Sequence, residues 1–315
     1  MCTAVRFNGA DGEMYFGRNL DWTEGYGEKV VITPRGFKYK SAFLGEISGV
    51  AVIGMGIVAE GAPLYFDCAN EHGLAVAGLN FPGYASYAAE AIESKTNIAA
   101  YEFPLWVALN FKTVDEVKRA LPGVAIVSKA INEQYPVSQL HWMIGDKERS
   151  IVVEYTSHGM EIYENEVDVL TNQPGYSWHH ENLRNYMNLA SHEPAEVKWG
   201  KAALKPFGTG SMMQGLPGGF YPTERFVRAA YLNTHYPTQD SERSNVSRLF
   251  HTLAGVAMID GGAAMRNGAF EKTIYTGGYS AASQTYYYNT YEDFTISKVA
   301  LQNYNLDSGE LVIAS

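Results

Sequence analysis

The chain reads as an α+β protein in which two largely antiparallel sheets are sandwiched and helices cover the outside. Three observations lead there. Short alternating stretches bounded by turn residues fill the first part of the chain, helical spacing is confined to a few later segments, and the order along the chain is sheet, helices, sheet, helices, sheet.

The first strand is Thr3 to Phe7, where Thr3, Val5 and Phe7 alternate against Ala4 and Arg6, and Asp11-Gly12 supplies the turn into a second strand from Met14 to Leu20. That hairpin has Cys2 at its start. Lys29 to Thr33, Val50 to Val58, Leu64 to Cys68 and Leu74 to Leu79 continue as a meander, the last two separated by a turn around Glu71, His72 and Gly73. Tyr101 to Leu121 is helical, with Pro104 in its first turn, and Thr113 with Glu116 forms a capping box that divides it into two helices. His141 to Ile144, Ile151 to Tyr155 (through the turn Asp146 to Arg149) and Met160 to Glu164 return to strand. Glu181 to Leu189, Thr223 to Tyr231 and Ser244 to Leu253 carry apolar residues at helical spacing, and Thr273 to Tyr275, Thr285 to Tyr288 and Thr295 to Ala300 close the chain as strands. No repeat or Pro/Gly/Ser-rich linker interrupts residues 1–315, and the glycine-rich stretch Gly208 to Gly219 reads as a long structured loop, so one domain is expected.

A net charge of −10 without a Lys/Arg cluster excludes a phosphate-backbone partner, so no nucleic acid is expected. The most apolar stretch, Gly49 to Ala59, falls short of the roughly 18 residues a membrane span requires. The residues after Met1 lack a basic segment followed by an apolar one, which points to a cytoplasmic location, where Cys2 and Cys68 stay as free thiols.

Cys2 is small enough for Met1 to be trimmed, and trimming puts a thiol and a free α-amine on one residue. A thiol ordinarily titrates near about 8.5 and an α-amine near about 7.7 to 8.0, so the amine can accept the thiol proton and no catalytic histidine is needed. His72, His141, His158 and His251 therefore read as structural or surface residues. Arg18 and Asp21 lie three apart on the second strand, which places them on opposite faces; they reach one site only at a strand end or bulge, and taken alone they also fit a structural ion pair.

Met1-Cys2-Thr3, Phe16 to Trp22, DCANEHGLAVAGLNFP from Asp67 to Pro82, LTNQP from Leu170 to Pro174, GLPGGFYPTERFVRA from Gly215 to Ala229, and Tyr286 to Tyr291 together resemble the choloylglycine hydrolase family, and within it the bile salt hydrolases of gut bacteria. The resemblance covers essentially the whole chain. It implies the N-terminal-nucleophile hydrolase fold, a four-layer αββα sandwich, and cleavage of an amide C–N bond with Cys2 as nucleophile and its α-amine as base. Arg18 is implied to favour the thiolate and Asp21 to hold the ammonium form. Asn80 and Asn172 match two asparagines near the reacting carbonyl, and Arg225 an arginine supporting that polar network.

The same resemblance implies a conjugated bile salt as small-molecule substrate, no metal or cofactor, and a homotetramer. Trp22, Tyr26, Ile57, Ala59, Tyr65 and the Ala125 to Tyr135 stretch are expected to wall a sterol pocket. Asn80 favours bile salts over penicillin V, because penicillin-preferring members commonly carry tyrosine there; a binding relative with little turnover is the further alternative. Gly219, Tyr221 and Glu224 depart from the family pattern and put pocket shape and rate in question, and Gly175-Tyr176-Ser177 departs after LTNQP.

Overall fold

The computed structural model describes residues 1–314. Two antiparallel sheets face each other. One has six strands, in the order Val169–Leu170, Cys2–Asn8, Met14–Trp22, Lys272–Ser280, Thr285–Thr290 and Ser297–Ala300. The other has eight, in the order Gly159–Glu164, Ser150–Thr156, Leu140–Gly145, Ala75–Asn80, Ala62–Asn70, Val52–Ala59, Lys29–Thr33 and Val312–Ile313. Helices Pro222–His235 and Glu242–Ala254 cover the outer face of the six-stranded sheet, and Phe103–Asn110 covers the outer face of the eight-stranded one, giving the expected αββα order. Among the described residues no helix is long and apolar enough to cross a membrane.

Both faces of the central strands are covered, so their residues are buried on either side of the pleat. Leu140–Gly145 shows this: Trp142 and Ile144 join a cluster with Phe103, Val114 and Val117 beneath the helices, whereas Met143 joins Phe16, Ala75 and Ala77 between the sheets. The same alternation on Met14–Trp22 turns Gly17 toward Leu249 of a covering helix and Arg18 toward the opposite sheet.

Two bulges matter for the site. Met55 pairs with Asp67 but Gly56 with Tyr65, which leaves Phe66 as the extra residue; Leu20 pairs with Tyr275 but Asp21 with Thr273, which leaves Ile274. Each bulge lies beside Arg18 or Asp21.

Several boundaries differ from the sequence expectation. The helix expected over Glu181 to Leu189 runs from Tyr176 to Asn182 and tightens into a 3₁₀ turn over Leu183–Tyr186, because Gly175 caps it and Glu154 Oε1 accepts from the Tyr176 amide at 2.9 Å. The expected pair of helices within Tyr101 to Leu121 is present as Phe103–Asn110 and Val114–Ala120, with Thr113 Oγ1 accepting from Glu116 N at 3.2 Å. The strand expected over Thr273 to Tyr275 extends to Ser280 through Gly277-Gly278, where close packing against Tyr286 and Leu249 leaves no room for a Cβ. Short pairs the sequence reading did not anticipate include the parallel Thr96–Ala99 and Val124–Val127 and the hairpin Val197–Trp199 with Ala202–Leu204.

Candidate active site

Cys2 begins the first strand, opposite Leu20, with its side chain buried. Arg18, fully buried, donates from Nη2 to Cys2 Sγ at 2.6 Å. The rest of that guanidinium is held by main-chain oxygens: Nη1 donates to Phe66 and Gly78 carbonyls, both at 3.2 Å, and Nε to Asn19 O at 3.2 Å. The bulge at Phe66 is what aims its carbonyl there. Burial opposes the charge on Arg18, yet Cys2, Tyr275, Asp67 and Asp21 around it raise its pKa above the ordinary arginine value. The guanidinium therefore stays charged against the sulfur.

Asp21 leaves its strand on the other face, near the strand end and beside the bulge at Ile274, as the odd spacing required. Thr273 Oγ1 donates to Asp21 Oδ1 at 2.7 Å, and Arg225 Nη1 lies 3.9 Å from Asp21 Oδ2, which has no hydrogen-bond partner. The main chains of Met1 and Asp21 pair, with Asp21 N donating to Met1 O at 2.8 Å.

Arg225, on the first turn of helix Pro222–His235, ties the remaining parts together. Its Nη1 donates to Cys2 O and Thr3 Oγ1 (both 2.6 Å), Nη2 to Asn172 Oδ1 (2.7 Å) and Nε to Phe220 O (2.8 Å). Burial pushes its pKa below the usual arginine value, against the pull of Asp21, Cys2 and Glu271. Asn172 Oδ1 also accepts from Cys2 N at 2.9 Å, while its Nδ2 donates to Asn80 O at 2.8 Å. With two donors on one end and a carbonyl on the other, the amide has a single satisfactory orientation. Among the described residues Cys2 and Cys68 are both free, and Cys68 is buried with its Sγ toward Pro104 O.

Two histidines carry the loop that presents Asn172. His141 Nε2 bonds Thr171 O at 3.0 Å and its ring stacks on Phe81; His179 Nε2 bonds Asn172 O at 2.9 Å and its ring stacks on Phe226. The structural reading of His141 agrees with this placement, whereas His179 was not singled out from sequence. Burial pushes the His179 pKa down to about 4, the bond to Asn172 O opposing it in part. Between the ordinary value near 6.5 and about 4 the unfolded chain binds a proton here that the folded chain does not, so stability rises with pH through this window and is lost as pH falls from 6.5 to 4. The loss amounts to roughly 3 kcal/mol, and urea unfolding at pH 7 and 4.5 should show it in the wild type and a flatter dependence in His179→Phe.

A cavity of about 770 Å³ opens over Cys2, Arg18 and Asp21. Of the residues expected on the wall, Trp22, Tyr26, Ile57, Tyr65 and, from the Ala125 to Tyr135 stretch, Ile131, Gln134 and Tyr135 line it; Asn80 lines it too. Ala59 is a correction: it sits at the hairpin tip opposite Ala62, before the left-handed turn at Glu60 and Gly61, and does not reach the wall. Ala125 likewise lies in the strand Val124–Val127 and not on the wall. Phe66, Tyr101, Met265 and Glu271, unmarked by the sequence, also line it.

The departures Gly219, Tyr221 and Glu224 do not line the cavity, which removes the ground for expecting an altered pocket shape from them. Tyr221 is mostly exposed, and the Glu224 carboxylate occupies the space a side chain at position 219 would need, so glycine there and glutamate at 224 fit as a pair. Gly175 similarly makes room for the Glu154 carboxylate.

A profile of linear amide C-N hydrolases, choloylglycine hydrolase family, matches residues 2–314. The bile salt hydrolase/transferase of Bifidobacterium longum subsp. longum is 53% identical over 314 residues, covering 99% of each chain. The crystal structure of a mutant conjugated bile acid hydrolase from Clostridium perfringens superposes with a TM-score of 0.94 at 38% identity, covering 100% of this chain and 97% of that one. Penicillin V acylase from Agrobacterium tumefaciens shares the fold at a TM-score of 0.78 and 18% identity, covering 98% of this chain and 90% of that one. A thiol, a buried arginine and a fixed asparagine at the floor of an apolar cavity, tied from behind by Arg225, stand on the fold these proteins share, and the chain belongs to the choloylglycine hydrolase family of linear amide C-N hydrolases.

Proposed function

We propose that the protein hydrolyses the amide bond of glycine- or taurine-conjugated bile salts, with Cys2 as nucleophile and its own α-amine as base once Met1 is removed. One observation carries the reading: Cys2 Sγ lies at the cavity wall against Arg18 Nη2, while the main-chain N and C=O of the same residue are each held by a side chain of the site. While Met1 is attached, the Cys2 nitrogen is an amide and carries no basic lone pair. Its removal frees the amine beside Asp21, whose unpartnered Oδ2 is a ready acceptor for the ammonium form.

The steps follow from that geometry. The thiol proton passes to the α-amine and Sγ bonds to the acyl carbon, with Arg18 stabilising negative charge on the sulfur beforehand. The carbonyl oxygen becomes an oxyanion, which an Asn80 amide N–H stabilises by about 3 kcal/mol. Collapse breaks the C–N bond as the ammonium proton moves to the leaving nitrogen, releasing glycine or taurine and leaving a thioester. Water then attacks the thioester, the α-amine takes its proton, and the thiol leaves with the proton returned to sulfur. Asn172 keeps the α-nitrogen in place through both halves.

The cavity volume and its aromatic and aliphatic wall support a sterol-sized acyl group. In this reading the chain acts as one domain, in the cytoplasm, as a homotetramer; the projecting hairpin at Val197–Trp199, with Trp199 76% exposed, supplies apolar surface for a second copy. Incubation with glycine- and taurine-conjugated bile salts and, separately, penicillin V should free amine from the bile salts at the higher rate. Release from penicillin V alone overturns the substrate assignment, and saturable bile-salt binding without release overturns turnover.

A further inference from the structure

Asp67 is a buried carboxylate that takes no part in the steps above, yet it is built into the floor beneath them. It sits on the eight-stranded sheet and is bonded from the six-stranded one: Tyr275 Oη donates to Oδ1 at 2.5 Å and Tyr286 Oη to Oδ2 at 2.6 Å. Two hydroxyl protons directed at two different oxygens match the acceptor pattern of an ionised carboxylate. Gly277, opposite Arg18 in the sheet, lies where any Cβ would collide with the Tyr286 hydroxyl, so the backbone itself is shaped to let that tyrosine pass.

Arg18 stands over the same cluster. Its guanidinium carbon is 5.9 Å from the centre of the Tyr275 ring, and its Nη1 donates to the carbonyl of Phe66, the neighbour of Asp67. No carboxylate touches Arg18 directly: its hydrogen-bond partners among the described residues are three main-chain carbonyls and Cys2 Sγ. A fully buried cation needs a nearby counter-charge, and while the sulfur carries its proton it supplies none.

We propose that Asp67, clamped between Tyr275 and Tyr286, is the counter-charge of Arg18 in the resting site and limits how strongly Arg18 draws negative charge onto Cys2 Sγ. Asp67 touches neither substrate nor sulfur, so it is a positioning residue acting through Arg18. The inference rests on Cys2 being the nucleophile. Its consequence is a balance: a thiolate stabilised too far forms readily but attacks weakly and is a better leaving group. Burial raises the Asp67 pKa, while Arg18 and the two hydroxyls hold it down; both tyrosines are pushed well above their ordinary value by burial and so remain donors. Cys68, next to Asp67 on the strand but with its side chain on the opposite face toward Pro104 O, is raised by burial and stays protonated. On the Cys2 side its own freed α-amine, Arg18, Arg225, Tyr26, Tyr275, Asp21 and Glu271 face the site, and of these side chains Arg18 contacts the sulfur.

The test is the pH dependence of iodoacetamide alkylation at Cys2 in chain lacking Met1, read by peptide mass so that Cys68 is scored separately. In Asp67→Asn the alkylation midpoint should fall by about one pH unit, since removal of an opposing charge leaves Arg18 less offset. The plateau rate should fall about threefold, following the weaker nucleophilicity of a less basic thiolate. Asp67→Ser, a smaller neutral replacement that also removes the charge, should shift the midpoint the same way and keeps the test open if Asp67→Asn does not fold. A midpoint unchanged or raised in folded variants overturns the proposal and leaves Asp67 a purely structural group. Because the readout is chemical reactivity of one sulfur, it is separate from the nucleophile assignment, which is tested by turnover in Cys2→Ala.

Discussion

Cys2→Ala will lose amide hydrolysis by about 10⁴-fold or more while keeping the fold. The substitution removes one small buried side chain, and Arg18 keeps its bonds to the Phe66, Gly78 and Asn19 carbonyls, so the strand and the guanidinium remain in place. What disappears is the group that forms the thioester. Glycine or taurine release should therefore fall to the assay floor with the thermal midpoint nearly unchanged. Retained turnover in this variant contradicts the site assignment outright.

Arg225→Met should be the most damaging change outside the nucleophile. The guanidinium satisfies four acceptors at once, on Phe220, Cys2, Thr3 and Asn172, and all but the first lie in fully or nearly fully buried surroundings. Deleting it takes a charged donor from each of those acceptors, leaving Asn172 Oδ1 with Cys2 N, and removes the Arg225 cation from beside Asp21, for a stability loss of about 3–5 kcal/mol in denaturant unfolding. Loss of the tie between Cys2 O and Asn172 also frees the α-nitrogen to wander, with an expected drop in kcat of about 10²-fold or more. Arg225→Lys should recover part of the stability but little of the rate, because a single ammonium cannot reproduce the three-nitrogen fork. Equal recovery of both would show that charge alone, and not the fork geometry, matters at this position.

The opening hairpin was legible from local chemistry alone: Thr3, Val5 and Phe7 alternate, Asp11-Gly12 turns, and the strand Met14–Trp22 returns with Arg18 and Asp21 on opposite faces. The odd spacing of those two residues called for a strand end or a bulge, and Asp21 lies near its strand end beside a bulge of the neighbouring strand at Ile274. The strand expected over Thr273 to Tyr275 runs on through Gly277-Gly278, and only the neighbouring Tyr286 and Leu249 explain glycine inside a strand there. Asn172 and Arg225 are brought to Cys2 from far along the chain, a long-range fact no periodicity encodes; resemblance supplied those names, and the hydrogen bonds supply the reason. The cavity wall was the least legible part. Ile57 and Tyr65 were identifiable from sequence, but Ala59 is the last residue of its strand, at the hairpin tip and off the wall, and Phe66 turns to the cavity where its bulge breaks the alternation. His179 could have been found by asking what supports a loop containing Asn172, since a histidine seven residues later can reach back to its carbonyl.

The most direct measurement is the mass and N-terminal sequence of the acyl-enzyme trapped by acid quench during bile-salt turnover. Expected is a peptide that begins at Cys2 and carries one bile-acyl group on its sulfur. An active protein that retains Met1, or an acyl group attached at any other residue, contradicts a thiol and a free amine working together on Cys2.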